Sequence, residues 1–359
     1  MINRWKIIMS NTKKNKMVRV AAAHVSSAFF DPAAGVEKAI KFLTEAAKAG
    51  AELVVFPESF IPGFPIWNAL SSPISGHANF VKFAAASLRV DGPEIKAIAS
   101  AAAQQKISVS LGFSEVASYS AGCLWNASVL INAQGVIVNH HRKLVPTFYE
   151  KLTWSRGDGA GLSVIDMPFG KVGGLICGEN GNPLSRYTLM AQGEEIHCAN
   201  YPPIWPFKDP RDSEPYDLAD AIRVRAAAHC FEAKVFAVVS SGFITDENLE
   251  MLCDDEETLA ILKASPRSAS MIVTPSGTTL GETLTDREGL VIADIDVGSL
   301  VELKQHHDMA GYYNRHDVFH VSVNRSRHKP LHDMVNHSPN SQAQTSSTLE
   351  ESLEIINNI

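Results

Sequence analysis

Short apolar runs of strand length alternate with amphipathic helical patterns through most of this 359-residue chain. Three of these runs lead into chemically capable side chains, Glu58, Lys143 and Cys177, in that order. Alternation of this kind predicts an α/β fold in which sheets are flanked by helices, because every strand must bury its apolar faces. The three side chains at strand ends are therefore the first candidates for a functional site.

Cys177 closes the run at residues 171–176 and is followed by the turn-forming residues 178–183. A thiol at the exit of a buried strand is held rigidly beside free backbone N–H groups, as a nucleophile requires. A free cysteine is also a common buried hydrophobe. Taken alone, the residue leaves both interpretations open.

Glu58 follows an apolar run at residues 53–56 that Pro57 ends. A carboxylate in such apolar surroundings has its pKa raised by burial toward the range of a general base. The alternatives are a helix N-cap or a solvated charge in a loop.

Lys143 comes after the strand-like residues 136–139 and just before an apolar pair, and Glu150 lies seven residues further on. A lysine in such a place is commonly a solvated surface residue. Glu150 is either a surface acid or a second carboxylate in the same cleft.

Three motifs surround these side chains: Phe56-Pro57-Glu58, His141-Arg142-Lys143-Leu144 and Ile176-Cys177-Gly178-Glu179. With them, the chain resembles the nitrilase superfamily of carbon–nitrogen hydrolases from about residue 18 to about residue 318. Three segments favour the nitrilase branch over the amidase branches, namely residues 57–65, 142–147 and 192–197. Residues 308–319 also resemble the segment that closes nitrilase chains.

The resemblance implies a four-layer αββα sandwich with a single catalytic domain, and a nitrilase that converts an organic nitrile into the carboxylic acid and ammonia. It implies that Cys177 forms a thioimidate and then a thioester, that Glu58 is the general base, and that Lys143 stabilises the tetrahedral intermediate. Glu150 is expected to orient Lys143 or a water molecule, and the N–H of Gly178 to stabilise the oxyanion. Neither a cofactor nor a metal is expected.

Gly178 departs from the pattern, because many nitrilases carry a tryptophan immediately after the nucleophile. A smaller residue there reshapes the pocket, so the preferred nitrile and the acid-to-amide ratio stay open. Trp67, Tyr201 and Trp205 are predicted to bind substrate, with ordinary packing as the alternative. An amidase, carbamoylase or cyanide hydratase with the same triad is the alternative function, and a non-catalytic assembly protein on this fold is a further one.

Composition limits the partners and the compartment. A net charge of −7 and a pI near 6.0 argue against nucleic acid and anionic membranes. The five cysteines form no cysteine-rich pattern, which points to a reducing, cytoplasmic compartment. The His-Cys pairs at 197–198 and 229–230 lack the spacing of a metal site, and Asn126-Ala127-Ser128 is read as a chance glycosylation sequon.

Four segments are expected along the chain: a flexible N-terminal segment at 1–16, the catalytic domain at 17–299, an interface segment at 300–330 and a disordered tail at 331–359. The polar composition of the two ends predicts their disorder. The resemblance implies that residues 300–330 contact a partner subunit, in a homodimer or a higher homo-oligomer that can extend into a spiral filament.

Overall fold

The computed structural model describes residues 16–211 and 216–331. The predicted flexible segment, apart from residue 16, and the predicted disordered tail, apart from residue 331, lie outside the described residues. The chain divides into a compact unit that ends at Ser326 and a second unit that begins at Arg327. The described residues of the second unit, 327–331, contain no helix or strand.

Twelve strands are present in the described part of the chain. They are β1 (Met17–His24), β2 (Leu53–Val55), β3 (Ser108–Ala117), β4 (Ser120–Ile131), β5 (Ile137–Arg142), β6 (Ile165–Met167), β7 (Gly170–Ile176), β8 (Ile196–Tyr201), β9 (Phe236–Ser241), β10 (Ser270–Val273), β11 (Thr279–Leu284) and β12 (Gly289–Asp296). They form two six-stranded sheets, ordered β12-β1-β2-β3-β4-β5 and β11-β10-β9-β8-β7-β6.

Eight α-helices accompany the strands within the same described ranges. They are α1 (Pro32–Lys48), α2 (His77–Ala86), α3 (Pro93–Gln105), α4 (Pro183–Met190), α5 (Leu218–Ala233), α6 (Asp246–Leu252), α7 (Glu256–Ala264) and α8 (Leu300–His306). Short 3-10 turns lie at Ile66–Ala69, Phe148–Leu152, Gly159–Gly161, Cys177–Gly181 and Val297–Ser299. None of the described helices is both long and apolar enough to span a bilayer.

The alternation of side chains along each strand sorts the core into layers. On β1, Val18 and Val20 face the core between the two sheets, whereas Ala21 and Ala23 pack against α1 and α3. On β9 the same alternation places Val238 between the sheets, whereas Ala237 and Val239 pack against α5. The layers are therefore helix, sheet, sheet and helix, which confirms the predicted αββα sandwich.

The strand-like runs predicted at 53–56, 136–139 and 171–176 coincide with β2, β5 and β7 within a few residues. The acidic run at 254–257 is exposed and starts α7, where Asp255 accepts a hydrogen bond from the N–H of Thr258.

The C-terminal ends of β2 and β7 lie at the same end of the sandwich. β2 runs parallel to β1 and β3 in the first sheet, and β7 runs parallel to β8 in the second. The N–H of Glu58, just past β2, donates to the carbonyl of Tyr201 at the end of β8, at 3.2 Å. Side chains that follow β2 and β7 therefore meet across the two sheets.

Candidate active site

Lys143 lies between two carboxylates in the interior of the protein. Its Nζ donates to Glu58 Oε1 at 2.6 Å and to both carboxylate oxygens of Glu150, at 2.9 and 2.7 Å. All three side chains are fully shielded from solvent. Buried charges persist only when they are paired and hydrogen-bonded, and this trio meets that condition.

Two neutral groups hold the carboxylates in place. Asn126 on β4 donates from Nδ2 to Glu58 Oε1 at 2.7 Å. The backbone N–H of Thr147 donates to Glu150 Oε2 at 3.1 Å, at the start of the Phe148–Leu152 turn. Each carboxylate is thus positioned by a donor besides the lysine.

Cys177 joins this cluster from the other sheet. Its Sγ and carboxylate oxygens of Glu58 and Glu150 all lie within 4.8 Å of one another. The residue directly follows β7 and has φ of +51°. A left-handed conformation at a non-glycine residue costs about 1–3 kcal/mol, so the surrounding contacts hold the thiol in a strained, fixed position.

The thiol is protonated in the resting site. Burial raises the pKa of Cys177 well above its ordinary value, and the Glu58 carboxylate raises it further, although Lys143 acts in the opposite direction. Attack by sulfur therefore requires a base. Glu58 Oε2 is buried and has no hydrogen-bond partner among the described residues, which leaves it able to accept a proton.

The pKa values of Lys143 and Glu150 are shifted by burial and by the neighbouring charges of the same cluster. Burial lowers the pKa of Lys143, but the charges of Glu150 and Glu58 outweigh it, so the pKa lies well above its ordinary value. Burial raises the pKa of Glu150 to about 7 and Glu58 adds to the rise, while Lys143 opposes it. The site thus holds a permanent ammonium and a carboxyl group that titrates near neutrality.

Glu179 ties the exit of β5 to the exit of β7. Its Oε1 accepts from the N–H of Leu144 at 2.6 Å, and its Oε2 accepts from the N–H of Ile176 at 3.0 Å. His141 Nε2 lies 2.9 Å from the same Oε2. This carboxylate therefore fixes the distance between Lys143 and Cys177, because it bonds the residue after the lysine and the residue before the cysteine.

Gly178, the predicted oxyanion residue, is the second residue of the Cys177–Gly181 turn and is exposed. The first N–H groups of a helical turn lack partners within the turn, which suits them to stabilise negative charge. A Cβ atom at Gly178 would lie 3.1 Å from Thr147 Oγ1, closer than an ordinary van der Waals contact. The space beside the thiol is therefore bounded by Thr147.

The three aromatic residues predicted to bind substrate occupy different surroundings. Trp67 is fully buried and packs edge-to-face on Phe83, as the packing alternative requires. Tyr201 is also buried, and its hydroxyl has no hydrogen-bond partner among the described residues. Trp205 is half-buried and stacks on Tyr149, the residue before Glu150, at 4.5 Å between ring centroids.

Some contributors to the site carry no sequence signal of their own. Asn126 belongs to the Asn126-Ala127-Ser128 sequon, and its side chain is buried and hydrogen-bonded to Glu58. Arg225 on α5 lowers the pKa of Cys177 by its positive charge, but comes near only through the packing of α5 on the second sheet. Both residues are recognised only once strand register and helix packing are known.

Comparison with known proteins identifies the family of this chain. A family model described as carbon-nitrogen hydrolase matches residues 19–305. A nitrilase from Paraburkholderia phymatum is 32% identical over 86% of this chain and 87% of its own. An aliphatic nitrilase from Rhodococcus rhodochrous is 33% identical over 88% and 85% of the two chains.

Solved structures show the same fold. The crystal structure of a carbon-nitrogen hydrolase from Helicobacter pylori G27 matches with a TM-score of 0.67 over 85% of this chain and 97% of that chain, at 17% identity. The family match spans most of the chain, and the relatives above exceed 30% identity over most of their own length. The chain therefore belongs to the carbon-nitrogen hydrolase family, as a nitrilase-branch hydrolase that acts on carbon–nitrogen bonds other than peptide bonds.

Proposed function

We propose that this enzyme hydrolyses an organic nitrile to the carboxylic acid and ammonia, with Cys177 as the nucleophile. The observation that carries the proposal is the approach of Cys177 Sγ to within 4.8 Å of the Glu58 and Glu150 carboxylates, next to the buried ammonium of Lys143. A nucleophile, a base and a fixed cation are thereby in one shielded place.

The first half of the reaction adds sulfur to the nitrile. Glu58 takes the proton from Cys177, and the thiolate forms a bond to the nitrile carbon. One electron pair of the triple bond moves to nitrogen, which receives the proton back and gives a thioimidate. Lys143 and the N–H of Gly178 stabilise the charge that develops, because they are already oriented before the reaction begins.

The second half releases ammonia and then the acid. Glu58 activates a water molecule, whose oxygen adds to the thioimidate carbon to give a tetrahedral intermediate. The C–N bond breaks, ammonia leaves with the proton, and a thioester remains. A second water attacks this thioester, the C–S bond breaks, and the thiolate is reprotonated as the acid departs. Glu150 orients Lys143 throughout, and no step uses a cofactor.

We further propose that the substrate is a neutral nitrile with an aromatic or medium-length aliphatic group. A cavity of about 150 Å³ supports this; its lining includes Phe148 and Pro206, the chain neighbours of the stacked Tyr149 and Trp205. The lining is mostly apolar, with Ala69, Leu70, Phe207 and Ile261 besides these two, and its charged residues are Lys208 and Asp209. Apolar walls favour an uncharged organic group over an ionised one.

Exposed apolar residues support a homodimer or a higher homo-oligomer, including a filament, as a further proposal. Leu184 on α4, Phe231 on α5 and Phe319 in the segment after α8 are each more than half exposed. Leu184 and Phe319 line the same surface groove, and contiguous exposed apolar surface marks association sites. Light scattering behind size exclusion tests this proposal, and a monomer at working concentration would contradict it.

The decisive experiment for the function is product analysis with a panel of nitriles and their matching amides, beside a Cys177→Ala control. Acid and ammonia from nitriles, lost in the control, are the expected result. Turnover of amides alone would assign an amidase or carbamoylase, and hydration of cyanide would assign a cyanide hydratase. A folded oligomer inactive on all of these would favour the assembly role.

A further inference from the structure

Asn180 holds the backbone around Cys177 from the inside of the protein. Its Nδ2 donates to the carbonyl of Leu175 at 3.2 Å and to the carbonyl of Cys177 at 2.9 Å. The side chain is almost completely buried. One amide therefore links Leu175, near the end of strand β7, to Cys177, the residue with the positive φ that carries the thiol.

The orientation of this amide is set by His197. Because Nδ2 is committed to two carbonyls, Oδ1 of Asn180 must face the ring nitrogen Nε2 of His197, which lies at 2.7 Å. The other ring nitrogen, Nδ1, lies 2.7 Å from Glu194 Oε1. Both ring nitrogens of His197 thus face acceptors, and both must carry a proton to donate.

Glu194 places a carboxylate between His197 and His229. Burial raises the pKa of Glu194, but His197 and His229 outweigh it and bring the pKa to about 2, so the group is a carboxylate. His229 Nε2 lies 2.7 Å from Glu194 Oε2. Burial lowers the pKa of His229, which makes it a neutral donor. The carboxylate of Glu194 thus faces a ring nitrogen of each histidine.

The fold makes room for this carboxylate beside strand β7. A Cβ atom at Gly173 would overlap Glu194 Oε1, so the glycine allows the side chain to lie against the strand that ends at Cys177. All three ionisable side chains, Glu194, His197 and His229, are fully buried.

The distances favour hydrogen bonds over a shared metal ion. Ligands held at about 2.0–2.1 Å around a tetrahedral zinc stand roughly 3.3 Å apart. The imidazole nitrogens here lie 2.7 Å from the carboxylate oxygens. Each contact therefore has a proton between its two atoms.

We propose that His197, kept as an imidazolium by Glu194, is a positioning residue for Cys177. It fixes the amide of Asn180, and that amide holds the Cys177 carbonyl in the conformation that presents the thiol to Glu58. A neutral His197 would keep its one proton on Nδ1, toward the Glu194 carboxylate, so that the bare Nε2 would face Asn180 Oδ1. The amide would then turn, and its two bonds to the backbone would be lost. The inference rests on the proposed function only in taking Cys177 as the nucleophile.

Nitrogen-15 NMR of histidine-labelled wild-type enzyme tests the protonation state directly. The expected result at neutral pH is one ring with two protonated nitrogens, assigned to His197 because it disappears in His197→Gln. A His197 ring with one bare nitrogen would overturn the proposal. This measurement needs no destabilised variant.

The second test compares kinetics in His197→Leu and His197→Gln. Two readouts are used: kcat and KM on a nitrile, and the rate at which iodoacetamide alkylates Cys177, followed by peptide mass spectrometry. His197→Leu should lower kcat and the alkylation rate by about 100-fold with KM little changed, as expected for a misplaced nucleophile. His197→Gln retains one donor for Asn180 and should recover most of both rates.

His24→Gln is the matched control. His24 is another buried histidine, bonded to the Ser241 carbonyl and to Ser270 Oγ at 3.0 Å each. Its loss should lower the unfolding temperature without slowing alkylation. Equal alkylation rates in His197→Leu and His24→Gln would contradict the positioning role. Alkylation needs no nitrile turnover, so an enzyme inactive on every nitrile would overturn the proposed function and leave the positioning test intact.

Discussion

The backbone N–H of Glu58 donates to the carbonyl of Tyr201 at 3.2 Å, and this bond joins the exit of β2 in one sheet to the end of β8 in the other. Asn200, one residue earlier on β8, donates its side-chain amide to the carbonyl of Phe56. These two contacts link the sheet that carries Glu58 and Lys143 to the sheet that carries Cys177. The candidate base and nucleophile therefore hold their places only in the complete sandwich.

Lys143→Ala should reduce both activity and stability. Without the ammonium, two buried carboxylates lose their shared partner, and the free energy of unfolding should fall by about 3–5 kcal/mol. Loss of a fixed donor to the developing charge should lower kcat by about 100- to 1,000-fold. Urea unfolding and steady-state kinetics measure the two effects.

Lys171→Ala is the control for the loss of a lysine ion pair. Lys171 and Asp166 form a solvent-exposed pair at 3.8 Å, so its removal should leave stability and kcat almost unchanged. If Lys143→Ala were as stable as Lys171→Ala, the buried trio would not have the charge state described above.

Asn126→Leu should slow the reaction by misplacing the base. The substitution removes the donor to Glu58 Oε1 at 2.7 Å, and a hydrogen bond to a charged group is worth about 1.5–3 kcal/mol. We expect kcat to fall by about 10-fold, since each 1.4 kcal/mol corresponds to one decade. Asn139→Leu removes an amide that bonds the carbonyl of Gly161 instead, and its kcat should stay near that of the wild type.

Glu150→Gln should change how stability depends on pH. The pKa of Glu150 is raised from 4.5 to about 7 in the folded protein, mainly by burial. The folded state therefore binds more protons than the unfolded state between these values. The stability that protonated Glu150 contributes is fully present below pH 4.5 and is lost as the pH rises through about 7.

Urea unfolding of the wild type and of Glu150→Gln, near pH 5 and near pH 8, measures this contribution. The free energy of unfolding of the wild type, relative to the variant, should decrease from the lower to the higher pH. A constant difference between the two proteins would mean that Glu150 does not titrate in this range in the folded state.

Local patterns in the sequence predict the layers and the ends of the strands near which Glu58, Lys143 and Cys177 lie, because strand-length apolar runs mark those ends. The roles of these side chains come from the family resemblance and not from the local pattern. Glu150 was identified only as one of two alternatives, since a turn of a single 3-10 helix decides whether it faces Lys143 or solvent.

The contributions that escaped prediction depend on register and packing between distant elements. Asn126 reaches Glu58 because β4 pairs with β3 and β5 in one particular register. His197 and His229 share Glu194 because α5 packs on β8, although they are 32 residues apart in the chain. Neither the strand register nor the helix packing can be read from the spacing of residues along the sequence.

Gly178→Ala should lower kcat and alter the acid-to-amide ratio. Its new Cβ would lie 3.1 Å from Thr147 Oγ1, so Thr147 must move by a few tenths of an ångström. The N–H of Thr147 bonds to Glu150, and a shift there moves the carboxylate that orients Lys143. The loss should stay below the roughly 100-fold expected of a 1 Å misplacement.

Gly181→Ala and the double variant Gly178→Ala/Thr147→Ala separate this contact from a general effect on the turn. A Cβ at Gly181 would meet Arg225 Nε at 3.6 Å, an ordinary contact, so this control should keep its kcat and product ratio. Removing the threonine hydroxyl should restore the kcat of Gly178→Ala, because the backbone N–H that holds Glu150 remains. A double variant as slow as Gly178→Ala would show that the space beside the thiol is limited by some group other than Thr147.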